Sequence, residues 1–183
     1  DTIKETWETP TPEQEKPCKG SGDGHNLVNN PDFEEEFIKG VPSGWKLDGN
    51  GKSKLIKQVM LPVHHGNYAV QLNGSTYLYQ DILIDGGSCY QLKMFVYAPN
   101  EKIKWRYWCT WMQGSTPLNS FSTELHPNNY WNRTDGYVDV LEGKIVRAPR
   151  QATALRMELR TYTGTPEDGE GLYVDGVSIE NVH

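Results

Sequence analysis

Between Trp105 and Trp111 the chain reads WRYWCTW, three tryptophans and one tyrosine in seven positions, with Arg106 among them. Further on, ALRMELRTY places Arg156, Glu158 and Arg160 at every second position, followed by Tyr162. Flat apolar rings beside guanidinium and carboxylate groups are the chemistry that recognises sugars: a ring covers one face of a pyranose while hydrogen-bonding groups reach its hydroxyls. On this basis the candidate stacking residues are Trp108, Phe95 and Tyr97. The candidate hydrogen-bonding residues are Arg106, Glu158, Arg160 and Gln91, with Tyr162 at the strand end. Tyr77, Tyr79, Tyr130 and Trp131 are placed where they would rim the same face. Large aromatics are also ordinary core residues, and Trp105, Tyr107 and Trp111 are assigned to the interior.

Other chemistry lacks its residues. Glycoside hydrolysis needs two carboxyls across a cleft, roughly 5–10 Å apart, and Glu158 stands alone on its segment, whereas EEE at 34–36 and EDGE at 167–170 fall near turns. There is no Gly-x-Ser-x-Gly elbow, His-Glu-x-x-His helix, phosphate-cradling glycine loop or dinucleotide fingerprint. His64 and His65 are adjacent, so on a strand they would point to opposite faces and would not chelate one zinc together; they are read as turn or surface residues. The sequence therefore predicts a chain that is not an enzyme.

The elements that must position the candidates are strands. From Asn26 onward, short apolar stretches such as YAVQL, YLYQDILI, CYQLKMFVY, YVDVL and LYVDGVSI alternate with turn residues, and no segment carries a capped helical stripe. The fold class that follows is all-β, an antiparallel β-sandwich of jelly-roll form over residues 26–183. Period-two alternation sorts the faces. Ile103, Trp105, Tyr107, Cys109 and Trp111 point inward, since the opposite choice would bury Lys104 and Arg106. Likewise Leu155, Met157 and Leu159 enter the core and leave Arg156, Glu158 and Arg160 outside. In CYQLKMFVY the inward set is Tyr90, Leu92, Met94 and Val96. Residues 1–25, rich in Pro, Glu, Thr and Gly, are read as a flexible linker or tether.

With 18 Lys and Arg against 24 Asp and Glu, the formal charge of −6 argues against a nucleic-acid partner and favours a neutral one. No apolar run approaches the roughly 20 residues of a transmembrane segment. Cys18, Cys89 and Cys109 leave at least one thiol unpaired. A Cys89–Cys109 bridge, if 89–97 and 102–111 form a hairpin, and free buried thiols are both open. Two N-x-S/T triplets occur, at Asn73 and Asn132.

NLVNNPDFEEEF…GVPSGWKLDG, HGNYAVQLNG, YLYQDILIDGGSCYQLKMFVYAP and LRMELRTY…GLYVDGVSIEN together resemble the jelly-roll carbohydrate-binding modules that accompany xylanases and other glycoside hydrolases, within the galactose-binding-like fold. The resemblance spans about residues 26–181. It implies that Phe33 and Trp45 pack at the sandwich edge and that the last strand lies beside the first. It also implies a structural calcium bound by Glu34 and Asp175, with Asp32 a weaker candidate and carbonyls of 65–67 completing the shell. The function it implies is non-catalytic binding of a polysaccharide or glycan, by a monomeric module of a larger secreted or surface-anchored protein, extracellular or periplasmic. The alternative is a structural or protein-interaction jelly roll of a cell-surface protein, since fold alone does not dictate function.

Overall fold

The computed structural model describes residues 17–48, 55–120, 133–163 and 171–183. Their regular elements are strands. In the first half these are Gly22–Asn26 (β1), Phe37–Ile38 (β2), Val41–Pro42 (β3), Lys46–Asp48 (β4), Ile56–Val59 (β5), Ala69–Leu72 (β6) and Thr76–Leu83 (β7). The second half supplies Cys89–Tyr97 (β8), Trp105–Gln113 (β9), Thr116–Ser120 (β10), Val138–Asp139 (β11), Lys144–Arg147 (β12), Ala154–Thr161 (β13) and Leu172–Val182 (β14).

Two antiparallel sheets form the layers. One has the order β11-β8-β14-β6-β5, with β1 added on β14 and β12 on β8; the other has the order β10-β9-β13-β7-β4. Burial alternates along β7 and β8 as a half-buried strand requires. Leu92, Met94 and Val96 of β8 and Val174, Val177 and Ile179 of β14 share one buried cluster with Trp105, Tyr107, Cys109 and Trp111 of β9 and Leu155, Met157 and Leu159 of β13. The expected inward sets of all three strands are therefore found in the core. Phe33 and Trp45 pack with ring centroids 5.1 Å apart, and the Trp45 indole donates to the Asn30 carbonyl at 3.1 Å. This gives the buried indole N–H the partner it needs.

Two readings of the sequence change. The segment 1–25 read as a linker supplies residues 22–25 of β1, which pairs with β14, and its Cys18 is bridged to Cys89; residues 1–16 lie outside the described residues. The Cys89–Cys109 hairpin does not form, because β8 and β9 belong to opposite layers. Cys109 is a free thiol buried in the core, 3.8 Å from the Met157 sulfur, and burial pushes its pKa well up. The bridge that does form, Cys18–Cys89, closes a separation of 71 residues. The chain-entropy account values such a crosslink at about 4 kcal/mol. The Asn73 triplet is closed to a glycan in the folded chain. Asn73 is fully buried, its Oδ1 has no hydrogen-bond partner among the described residues, and its carbonyl accepts from the Thr76 hydroxyl at 2.6 Å. Asn132 lies outside the described residues.

Candidate functional site

The outer side of the five-stranded sheet is a grid set by register. Arg106 of β9 stands opposite Arg160 of β13, which stands opposite Tyr77 of β7, which stands opposite Asp48 of β4. The next outward row is Trp108, Glu158, Tyr79 and Lys46, and the row after that is Thr110, Arg156 and Asp81. Each strand contributes every second residue, so alternation within the strand and pairing between strands place the site residue by residue.

Rings and guanidinium groups interleave across this grid. The Arg106 guanidinium lies 5.1 Å from the Trp108 ring centre and 5.4 Å from that of Tyr162, and its Nε donates to the Tyr162 hydroxyl at 2.9 Å. Arg160 lies 4.7 Å from Trp108 and 4.8 Å from Tyr77. Arg156 covers Tyr79 at 4.3 Å. Tyr77 and Tyr162 meet edge to face at 5.8 Å. Such contacts attract a cation to the ring quadrupole and hold the planar guanidinium in one orientation.

Two of the carboxylates on this face, Asp81 and Glu158, are engaged by arginine. Arg156 donates to both oxygens of Asp81, Nε to Oδ1 at 2.7 Å and Nη2 to Oδ2 at 3.0 Å. Both partners are about a third exposed, and such a pair contributes about 1 kcal/mol or less. Glu158 is only 5% exposed although it points away from the core, and its Oε1 accepts from Arg160 Nη2 at 2.9 Å. Burial by itself would lower the Arg160 pKa, but the hydrogen bond and charge of Glu158, joined by those of Tyr162, outweigh it and hold the guanidinium above its usual range. The Arg160 Nε is buried with no hydrogen-bond partner among the described residues. An unmade bond of this kind normally costs 1–3 kcal/mol or more. On the same face the Tyr77 phenol is raised, chiefly by burial and then by its neighbour Tyr162.

Of the residues expected to touch ligand, Trp108, Arg106, Glu158, Arg160 and Tyr162 come together here. Phe95, Tyr97 and Gln91 do not. All three lie on β8, in the other sheet, so no groove is lined by Trp108, Phe95 and Tyr97 together. Phe95 stacks on His64 at 4.1 Å, and Tyr97 packs against Tyr137 and Tyr173 at 5.7 and 5.9 Å. Gln91 accepts from the Gly22 amide and donates to the Gly143 carbonyl, both at 2.9 Å, which pins two neighbouring segments to β8. The alternation of TYLYQDIL carried the signal for Tyr77, Tyr79 and Asp81 as a set, while nothing local pointed to Asp81 as the partner of Arg156. Tyr130 and Trp131 lie outside the described residues.

Glu34 and Asp175 flank one loop. The Glu34 Oε1 accepts from the amides of Asn67 and Tyr68 at 2.8 and 3.1 Å, and the Asp175 Oδ2 accepts from those of His64 and His65 at 2.6 and 2.8 Å. The chain can approach this closely at Gly66, where φ is +70° and a Cβ would collide with Glu34. A register shift between Val174 and Val177, with Gly176 at φ +107°, turns Asp175 toward the loop. Its pKa is raised, first by burial and also by nearby Asp32, against the lowering effect of the two amides. Among the described residues no three His, Cys, Asp or Glu side chains converge as a metal cluster. A calcium ion would therefore draw most of its ligands from backbone carbonyls, which its chemistry allows. The buried Asp175 Oδ1, which has no hydrogen-bond partner among the described residues, fits such an ion. The side chains of His64 and His65 are exposed, as a turn or surface assignment requires.

No protein-family profile matches the chain, and no curated protein sequence does. Solved structures do. TmCBM61 in complex with β-1,4-galactotriose superposes with a TM-score of 0.57 at 18% identity, covering 86% of this chain and 99% of that one. The xylan-binding domain from CBM 22 gives 0.54 at 11% identity, covering 87% and 97%. The enzymatically active domain of bacteriophage CBA120 tailspike protein 4 gives 0.63 at 12% identity, with 86% of this chain matched to only 21% of that one. At these identities the likeness is one of fold, and the chain has the jelly-roll β-sandwich fold found in these carbohydrate-binding modules.

Proposed function

We propose that the chain is a non-catalytic carbohydrate-binding module that takes a polysaccharide or glycan on the outer face of its five-stranded sheet. The observation that carries this reading is the grid itself, in which Trp108, Tyr77, Tyr79 and Tyr162 alternate with guanidinium groups on one layer. A sugar chain lying across the sheet sets its C–H faces against the rings and its hydroxyls against the guanidinium N–H groups between them. The resemblance of the sequence to modules of this kind supports the same reading.

The engagement of Asp81 and Glu158 by arginine supports binding over hydrolysis. A general acid must exchange its proton, and Glu158 is held against Arg160. The Cys18–Cys89 bridge supports a secreted or surface location, because such bonds persist in oxidising compartments. In this reading the chain works as a monomeric part of a larger secreted or surface-anchored protein. Glu34 and Asp175 hold a structural calcium with backbone carbonyls, and the ion is a partner for the buried Asp175 Oδ1, which has none by hydrogen bonding among the described residues.

An array of plant, host and microbial glycans tests the main claim: binding to at least one glycan class is expected, without release of reducing sugar. No binding to any class would sink it, and sugar release abolished by Glu158→Gln would replace it with a hydrolase. For calcium, a chelator should lower the melting temperature and added calcium should restore it, with Asp175→Asn insensitive to both. A melting temperature indifferent to chelator and calcium in the unaltered chain would remove the ion from the account.

A further inference from the structure

A cavity of about 240 Å³ opens on the seven-stranded sheet, in the layer opposite the grid. Phe95 of β8, Gly176 and Ser178 of β14, Asn26 of β1, and Asp32 and His64 from two loops line it. Its floor is the irregularity in β14, where the register with β8 shifts between Val174 and Val177. Bulges of this kind re-aim side chains and gather beside functional sites. Gly176 sits there at φ +107°, and a Cβ on it would stand 3.4 Å from the Phe95 ring and 3.7 Å from the Asp32 Oδ1. The glycine therefore keeps the space between ring and carboxylate open. The walls are pinned by hydrogen bonds. Asn26 Nδ2 donates to the Val177 carbonyl at 2.9 Å and its Oδ1 accepts from the Ile179 amide at 3.1 Å. The Val177 amide donates to the Pro31 carbonyl at 3.1 Å, which seats the loop that carries Asp32. Backbone on both sides of Asp32 is left-handed, with φ of +48° at Asn30 and +58° at Phe33. A bulky residue adopts that conformation only where its surroundings enforce it.

Two kinds of chemistry meet in this cavity. The Phe95 and His64 rings, stacked 4.1 Å apart, supply a flat wall. The Asp32 carboxylate and the Ser178 hydroxyl belong to half-buried residues, and no hydrogen bond or ion pair engages either group among the described residues. Glu34 and Asp175, by contrast, already accept from the amides of the loop at 64–68. A free carboxylate accepts two O–H donors at once, a serine hydroxyl both donates and accepts, and aliphatic C–H groups pack on rings. Neighbouring hydroxyls on a C–H-bearing ring are what a sugar presents. The volume lies below the roughly 300–1,000 Å³ of drug-sized pockets, which suits one pyranose ring rather than a chain. We propose that this cavity is a second carbohydrate site, which takes a single terminal sugar residue with two vicinal hydroxyls on Asp32 and its C–H groups against the Phe95 and His64 wall. The site goes beyond the chain-binding face proposed above, and either can fail without the other.

Amide chemical-shift mapping by NMR on the full chain, in buffer containing calcium, tests this with the methyl glycosides of glucose, galactose, mannose, fucose and N-acetylglucosamine. At least one should shift the amides at 32–33, 64–66 and 176–178, with a Kd on the order of 1 mM. Its O-methylated counterpart, which lacks the hydroxyl donors, should bind about tenfold or more weakly. Asp32→Ala should weaken binding about tenfold or more and Ser178→Ala about threefold, each checked for folding by near-ultraviolet circular dichroism, while the distant Trp108→Ala leaves it within about twofold. Should Asp32→Ala misfold, Ser178→Ala and the O-methylated glycoside carry the test. The melting temperature of Asp32→Ala should respond to calcium as that of the unaltered chain does; a lost response together with lost sugar binding would overturn the site, since Asp32 would then serve the ion. Unshifted amides around the cavity with every glycoside would overturn it as well. Shifts confined to β7, β9 and β13 would do so while supporting the chain-binding face. Cavity shifts without any polysaccharide binding would leave this site standing and remove that face.

Discussion

Both outer faces of this sandwich carry aromatic residues, and they use them in different ways. On the seven-stranded sheet, Phe95, Tyr97 and Tyr173 pack among themselves and with His64 and Tyr137. Polar groups beside these rings bond within the protein: the Tyr137 hydroxyl donates to the Pro62 carbonyl at 2.7 Å, and burial raises its pKa far above the usual phenol range. Gln91 likewise joins two strand-flanking segments. On the five-stranded sheet the rings alternate with guanidinium groups, and the Arg160 Nε has no hydrogen-bond partner among the described residues. Aromatic content therefore does not mark a binding face. What distinguishes the two is that on one the rings pack on one another, whereas on the proposed binding face they alternate with guanidinium groups.

The contrast can be broken from either side. The largest effect belongs to the structural face: Cys18→Ser removes the tie at the start of β8 and should cost about 4 kcal/mol, or roughly 8–16 °C in melting temperature by calorimetry, with glycan affinity unchanged. A loss of affinity accompanying it would mean that the two faces are coupled through the core. Next, Glu158→Ala leaves Arg160 partly buried beside no carboxylate. It should destabilise by about 2–3 kcal/mol, somewhat below the cost of breaking a fully buried pair, with a denaturant midpoint as the readout. A near-neutral result would show that Arg160 swings into solvent and that the grid is not rigid. The third comparison is direct. Trp108→Ala should weaken glycan binding about tenfold or more, as loss of a central aromatic anchor does, while Tyr97→Ala leaves it within twofold. The reverse pattern would move the ligand to the seven-stranded face.

Much of the grid was legible in the sequence. In WRYWCTW the choice of inward residues followed from the cost of burying Arg106, and Trp105, Tyr107 and Trp111 are 0–4% exposed. The same alternation put Glu158 and Arg160 outside. Its failure with Phe95 and Tyr97 is instructive: they do point away from the core, yet an outward direction does not say from which sheet. The Cys89–Cys109 hairpin, one of two readings the cysteines leave open, fails for the same reason: β8 and β9 cross between layers, and Cys109 is a buried free thiol. The Glu34 and Asp175 pair could be named only through resemblance, because the loop at 64–68 that brings them together is far from both in sequence.

By itself, the sequence determined that the chain is built of strands, which residues of each strand share a side, and that tryptophan, tyrosine and arginine occupy outward positions. These are local properties, because successive Cβ atoms alternate whatever the strand pairs with. Only the tertiary structure decided that Arg106 faces Arg160, that Glu158 is covered, that Phe95 belongs to the other layer, and that Cys18 reaches Cys89. Those facts depend on register between segments distant in the chain, and register is fixed by packing the whole core at once.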